Sequence, residues 1–591
     1  MFLRPSTKLS ACLTVLWILS ASGSLIWGQT DPREAPADRA QAIYSQGMGA
    51  LQKGDLKGAR ASFEKVVRLA PSSPEAHNSL GWVLMEQAQI DPAIAQFRVA
   101  LKLKANFVQA HVNLANALSS ERDFAEAESE AQEAVRLDAK DSEAHRTLGR
   151  IQSFRGDLPG GINELQTAVT LEPKRPDLHD DLGSLFEQSG KIDEAATQFS
   201  EALQLKPDYL SAQLHLGIVR WLQHELPEAG DLLARAAESA PENPQTHYYL
   251  GRVLEDEKKD DQAIVELKKA VALQPDFPDA QENLGLLSQR AGSIEDAVAA
   301  FRRLVQLRPD NPDAHNNLGL ALIQSGDAAS SMPEFETAMR LRPDDAGYTE
   351  NLGTAYLQRA DFDSAIKQFQ AALKIAPQDA TAHYDLGLAL KLKDQLPEAI
   401  VEFQRASQLS PEQPDIHYTL GVTLWQKGDF AGSEKELSAA TAAKPDYAEA
   451  YYTLGTVLKQ DGKLNDAAVA LRKAIEINPG LVGAHTNLAA ILRQQGDTAG
   501  AEAENRQAQE LFKQSNTLQA ATFNTNSGKR LLQAGDLDGA IAQFRSAIKI
   551  APDYVPAHRQ LAQALAQKGQ QAEADEENRK AAQLGGTNSA Q

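Results

Sequence analysis

A glycine at position 47 returns, as Gly or Ala, at 81, 115, 149, 183, 217, 251, 285, 319, 353, 387, 421, 455 and 489, each time 34 residues further on. A unit of that size cannot bury an apolar face by itself. Copies must therefore stack on their neighbours, and the spacing predicts a line of stacked units instead of a single globule.

Each unit carries more than its glycine. Leu stands one residue before it, as in Leu80, Leu114, Leu148 and Leu182. Twelve residues after it stands Ala in thirteen of sixteen copies, with Gly161, Ser331 and Ser433 as the small exceptions. Sixteen after it stands Phe or Leu in most copies, and twenty-four after it stands Pro in twelve, from Pro71 to Pro552. At helical periodicity this is two amphipathic helices per unit, with the small residues marking a close helix crossing. Turns such as Gly54-Asp55, Gly156-Asp157, Gly326-Asp327 and Gly428-Asp429 end the first helix, because Gly takes the left-handed conformation without strain. A second Pro, as in Asn311-Pro312, opens the next unit.

Over residues 40–585, sixteen copies, this pattern resembles the tetratricopeptide repeat family. Stretches such as Ala314-His315-Asn316-Asn317-Leu318-Gly319 also resemble the repeat region of O-GlcNAc transferases. The resemblance implies an all-α, right-handed superhelical α-solenoid of about sixteen helix-turn-helix hairpins, whose first helices line a concave groove. The transferases need a separate catalytic domain, and the repeats here leave no residues to house one. Nor does the chain contain a phosphate-binding Gly-rich loop, a His-Glu-x-x-His pair or a Gly-x-Ser-x-Gly turn; His224-Glu225 lacks the second His. No enzyme and no cofactor are expected.

In the family the residues two and three before the glycine face the groove. The first of these places holds Asn283, Asn317 and Asn351 in three consecutive repeats, and Asn113, Asn487 and Asn526 elsewhere. A ladder of Asn can hydrogen-bond the backbone of an extended peptide with little regard for its side chains. The second holds Tyr384, Tyr418 and Tyr452 in the repeats that follow, and Trp221 and Trp425 stand four residues after their glycines. Rigid aromatics supply contact area at low entropic cost and can stack on sugar faces. Copied framework is the competing reading of both rows, because duplication repeats any residue.

Ten of the twelve histidines stand four residues before the glycine: His77, His111, His145, His179, His247, His315, His383, His417, His485 and His558. They recur once per hairpin, with no Cys or carboxylate evident at a fixed offset, and are read as half-buried packing residues and not metal ligands. His179-Asp180-Asp181 looks most like a ligand cluster, but consecutive helical residues point different ways.

The spacing slips once, from 489 to Gly528. Near the slip and at the last helix, Asn505 and Asn578 replace the core Phe or Leu, as a terminal hairpin with an uncovered face requires. We read residues 40–515 as an array of fourteen repeats, 516–585 as two further repeats after a longer connector helix, and 586–591 as a polar tail; a tolerated insertion with no boundary is the competing reading of the slip.

Arg4 and Lys8 precede the apolar run Leu9 to Leu19 and small residues follow, so residues 1–28 have the layout of a secretory signal peptide, with 29–39 a polar linker. An uncleaved anchor is the alternative, and the only membrane contact expected. Cys12 is the sole cysteine, which leaves no disulfide after cleavage, and loss of the leader takes the net charge from −21 to −23. Such a chain repels nucleic acid. The expectation is an exported, periplasmic or extracellular, non-catalytic scaffold that holds protein or peptide segments in its groove and assembles a cell-envelope or secretion complex. The alternatives are a carbohydrate-binding helper in surface polysaccharide export, and self-association.

Overall fold

The structure, a computed structural model, describes residues 36–587. The expected signal peptide over 1–28 and the first part of the linker lie outside the described residues. The end of the linker is helical from Pro36, and the last helix runs on to Thr587, into the expected tail. Among the described residues there are thirty-one α-helices, numbered in chain order from α1 (Pro36–Gln52) to α31 (Gln571–Thr587), and no strand. Within each compact unit they form a helical solenoid of antiparallel hairpins. The chain divides into two compact units, one up to Leu307 and one from Arg308.

The hairpin of α17 (Pro312–Gln324) and α18 (Ala328–Leu341) shows how sequence sets each element. Asn311 caps α17, its side chain accepting from the backbone N–H groups of Asp313 and Ala314, and Pro312 occupies the first turn, where its missing N–H costs nothing. Gly326, at φ +85°, ends the helix, and Asp327 accepts from the N–H of Ser330 to start the next. Six hairpins lack the turn glycine and force Ala88, Arg122, His224, Lys258, Ala360 or Asp394 into the same left-handed conformation.

The core repeats with the sequence. In the first unit Phe63, Phe97, Phe199 and Phe301 are fully buried, as are Phe335, Phe369, Phe403 and Phe544 in the second. Each ring lies over the glycine sixteen residues earlier in its own hairpin, and each contributes about 2–3 kcal/mol by leaving water.

The slip in spacing is one continuous helix, α28 (Thr498–Gln533), 36 residues long. It combines the second helix of the fourteenth hairpin, the connector and the first helix of the fifteenth, which is why sixteen hairpins contain thirty-one helices. No Gly or Pro interrupts the chain between Gly500 and Gly528, so nothing in the connector ends the helix. The division placed at 515/516 falls inside it. Phe512, Leu518 and Phe523 on this helix are at least half exposed.

Candidate interaction surface

Many first helices of successive hairpins are joined by side-chain hydrogen bonds between residues 35 apart. This is the step from three before one glycine to two before the next. In the first unit these rungs are Tyr44 hydroxyl with Ser79 hydroxyl (2.9 Å), Asn113 amide to Asn78 (3.0 Å), Arg146 to Asp181 (2.5 Å), His215 Nδ1 with Asp180 (2.9 Å) and Asn283 amide to the Tyr248 hydroxyl (3.1 Å). In the second unit they are Asn351 amide to Asn316 (2.8 Å) and Tyr384 hydroxyl with Thr419 hydroxyl (3.1 Å). Each rung unites a donor with an acceptor, and so fixes the register of one hairpin on the next.

This ladder changes the reading of the asparagine row. Asn283 spends both amide hydrogens inside the protein, on Tyr248 and on the carbonyl of Asp279 (2.9 Å), which leaves its oxygen alone for a ligand. Asn351 spends one on Asn316, and Asn317 lies half-buried on α17. Asn487 donates to Thr456 (3.1 Å) and accepts from Lys459 (2.9 Å).

The aromatic residues of the second unit come together. Tyr384 on α21 (Ala380–Leu392), Tyr418 and Trp425 on α23 (Pro414–Lys427) and Tyr452 on α25 (Ala448–Gln460) are all half-buried on consecutive first helices. Tyr384 packs on Phe403 at 5.6 Å between ring centres, and Tyr418 on Tyr447 at 5.2 Å. The indole of Trp425 donates to Gln460 (2.7 Å). Trp221 belongs to the first unit, where it donates to Asp256 (2.6 Å), lies beside Tyr249 and is covered by the Arg252 guanidinium at 5.0 Å.

Arg146 and Arg175 in the first unit are matched by the acids around them. Arg146 is held by Asp177 (2.8 Å) and Asp181, and Arg175 by Asp177 (2.6 Å) and Glu143 (3.0 Å). Asp180 accepts from Ser211 (2.6 Å) and faces His215 (2.9 Å), so both address the carboxylate and not each other. His179 bonds Gln198 and the carbonyl of Pro173. The three consecutive residues His179, Asp180 and Asp181 thus turn to three separate sets of partners.

One place in the second unit sets two acids against each other. Glu350 on α19 (Ala346–Gln358) and Asp385 on α21 occupy a rung with two acceptors and no donor. Burial, then the neighbouring Asp385 and Asp379, push Glu350 up to about 7. Burial and Asp379 push Asp385 up to about 6.

The histidine row has a structural role that sequence reading missed. Nine of its ten members are buried, not half-buried, and His383 is nearly so. In all ten, Nε2 lies 2.7–3.3 Å from a carbonyl six residues earlier, and Nδ1 lies 2.5–2.8 Å from a Glu or Gln nineteen residues later on the second helix. Eight of the partners are Glu, from Glu130 to Glu577, so a carboxylate does stand at a fixed offset. The signal was available as the row of Glu and Gln fifteen residues after the glycine.

Family models described as "Tetratricopeptide repeat" match residues 44–106, 108–141, 181–244, 312–345, 350–414, 390–456 and 448–481, and one described as "TPR repeat" matches 290–326 and 528–569. No curated protein matches the chain by sequence. Among solved structures, MamA from Desulfovibrio magneticus RS-1 is 25% identical over 29% of this chain and 96% of its own, with a TM-score of 0.27. YrrB, described as a TPR protein with an unusual peptide-binding site, is 21% identical over 33% of this chain and 97% of its own, at 0.28. The Cut9–Hcn1 hetero-tetramer is 15% identical over 90% of this chain and 97% of its own, at 0.34. With its 34-residue hairpins, its glycine-on-phenylalanine crossings and the family models matching most of its length, the chain belongs to the tetratricopeptide repeat family.

Proposed function

We propose that the chain is an exported, non-catalytic scaffold that holds protein or peptide segments along the face of its first helices and assembles a cell-envelope or secretion complex. The observation that carries the reading is the run of half-buried aromatics, Tyr384, Tyr418, Trp425 and Tyr452, on three consecutive first helices. Such side chains are partly ordered by their own hydrogen bonds and packing, so little entropy remains to be lost on binding. Export rests on the leader-like residues 1–28. Among the described residues no helix is long and apolar enough to cross a membrane.

Partners captured from the native envelope by cross-linking, then retested with purified protein, decide the matter. Tyr384→Ala/Tyr418→Ala/Tyr452→Ala should weaken polypeptide binding with helical content intact. Unchanged affinity would remove this face from the role. Glycan binding by the same aromatics, with no polypeptide captured, would favour a part in surface polysaccharide export. Sequencing the N-terminus of the envelope-fractionated protein tests the leader.

A further inference from the structure

The chain carries a net charge of −21, and several cations at the turns of its second unit pair with carboxylates: Lys393 with Asp363, Lys463 with Glu434 at 2.5 Å, and Arg342 with Asp313 at 3.0 Å. Three others do not. Lys391 on α21, Lys459 on α25 and Arg493 on α27 (Val482–Gln494) stand four residues after their glycines, the place that Trp425 takes on α23 between them. Among the described residues no carboxylate pairs with any of the three. Lys459 donates only to the neutral amide of Asn487, and the half-buried Lys391 has its ammonium pushed below the ordinary lysine range by burial. The attraction of a helix C-terminus for cations does not explain the row, because the same place holds Glu187 and Glu255 in the first unit.

These side chains share the face of the tyrosine row. Seven residues separate Tyr384 from Lys391, Tyr418 from Trp425 and Tyr452 from Lys459, two turns of helix and nearly the same direction. The acids of these helices lie elsewhere. Asp415 and Glu449 are in the first turns of α23 and α25, about 15 Å along the axis from the cations, and Asp415 accepts from the Tyr447 hydroxyl at 2.9 Å. Asp385, with Glu350 behind it, marks the N-terminal limit of the cationic row.

Resting on the proposal that this face holds polypeptide, we infer that the surface formed by Lys391, Trp425, Lys459 and Arg493 takes an extended acidic segment of a partner protein. Neighbouring first helices lie roughly 10 Å apart, and an extended chain advances about 3.3 Å per residue, so one hairpin corresponds to about three residues of ligand. The register that fits is an acidic residue opposite Lys391, an apolar one three further on at Trp425, then acidic residues at two more three-residue steps. The carboxylates supply the counter-charge that the protein withholds from these cations, and the indole receives the apolar side chain.

The probe is a fluorescein-labelled decamer, Glu-Ser-Ser-Leu-Ser-Ser-Glu-Ser-Ser-Glu, titrated by anisotropy against the full chain, with versions in which Gln or Lys replaces each Glu. The acidic decamer should bind best and weaken with salt. Lys391→Glu/Lys459→Glu/Arg493→Glu should lower its affinity on the order of tenfold or more with helical content retained, and the milder Lys391→Gln/Lys459→Gln/Arg493→Gln should do so in part should the reversal misfold. Equal or tighter binding of the Gln or Lys decamer, or full affinity in both triple variants, overturns the inference. If the Gln decamer binds as well and loses affinity with the tyrosines, the groove reading survives and only the acidic preference falls. If no decamer binds but polygalacturonate does, and the cations are required, an anionic polysaccharide replaces the polypeptide and both fall.

Discussion

A Cβ placed on Gly285 would lie 2.4 Å from Cε1 of Phe301, a ring with no exposure to solvent. The pair is small against large, and the same relationship recurs sixteen residues apart along the chain, with Phe or Leu over Gly. Where the larger partner shrinks to Ala131, Asn505 or Asn578, the glycine is Ala115, Ala489 or Ala562. Gly285→Ala should therefore cost about 2 kcal/mol by overpacking. Combined with Phe301→Ala it should cost clearly less than the sum of the two single changes. Hydrogen exchange of α15 (Pro278–Arg290) and α16 (Ile294–Leu307) reads the local loss, and strict additivity would contradict the matched pair.

Ala88 and Ala360 sit at φ +58° in turns where ten other hairpins use Gly. The left-handed conformation crowds their Cβ atoms against the backbone, so Ala88→Gly and Ala360→Gly should each stabilise the local hairpin by about 1 kcal/mol. A fall in thermal stability for either variant would argue against strain at this position.

His111 should make stability depend on pH in a particular direction. Its Nε2 must donate to the Ala105 carbonyl at 3.0 Å, and its Nδ1 faces Glu130 at 2.5 Å with Glu133 close by. Burial opposes the charged ring, but the bond to Glu130, the bond to Ala105 and the two carboxylates outweigh it and raise His111 above the ordinary 6.5. A raised histidine contributes its stability in full below 6.5 and loses it as pH climbs through the folded value. Glu130→Gln should thus cost about 1 kcal/mol near pH 6, and the gap to the parent should close as the pH rises and His111 loses its proton. Parallel pH profiles for the two proteins would refute this. The Gln already present in the His77–Gln96 and His179–Gln198 pairs shows that the substitution fits.

Glu350 acts in the opposite sense. Its carboxyl, raised from 4.5 to about 7, binds a proton more tightly folded than unfolded, so stability falls as pH rises between those values and the penalty is complete above about 7. Glu350→Gln should stabilise the second unit at about pH 8 by about 1 kcal/mol, a figure already reduced for the solvent that reaches the groove wall. The gain should vanish near pH 4.5. A gain independent of pH would point to packing and not to charge.

Hairpin count, turn chemistry and core were readable in the chain because each is encoded locally and repeated. Gly326 needs its left-handed turn, Asn311-Pro312 its capped start, and Phe301 its glycine at a constant offset. The candidate surface was legible only in part. The tyrosine row and Trp425 do assemble on neighbouring helices, whereas the amide hydrogens of Asn283 are consumed by Tyr248 and Asp279. The histidines were misread because their partners lie nineteen residues away, across a turn, where a search for adjacent ligands does not look. The unmatched cations were invisible for a related reason, since lacking a partner is a property of the surroundings.

Amino-acid order alone determined that this chain must be a stack of paired helices, because a 34-residue period with one small residue at each crossing admits no other way to bury its Phe and Leu. Tertiary structure alone decided which polar groups remain available to a ligand. Hydrogen bonds between residues 35 apart exist only once one hairpin has been laid against the next, and they spend some donors and acceptors while leaving Lys391 and Arg493 without a carboxylate.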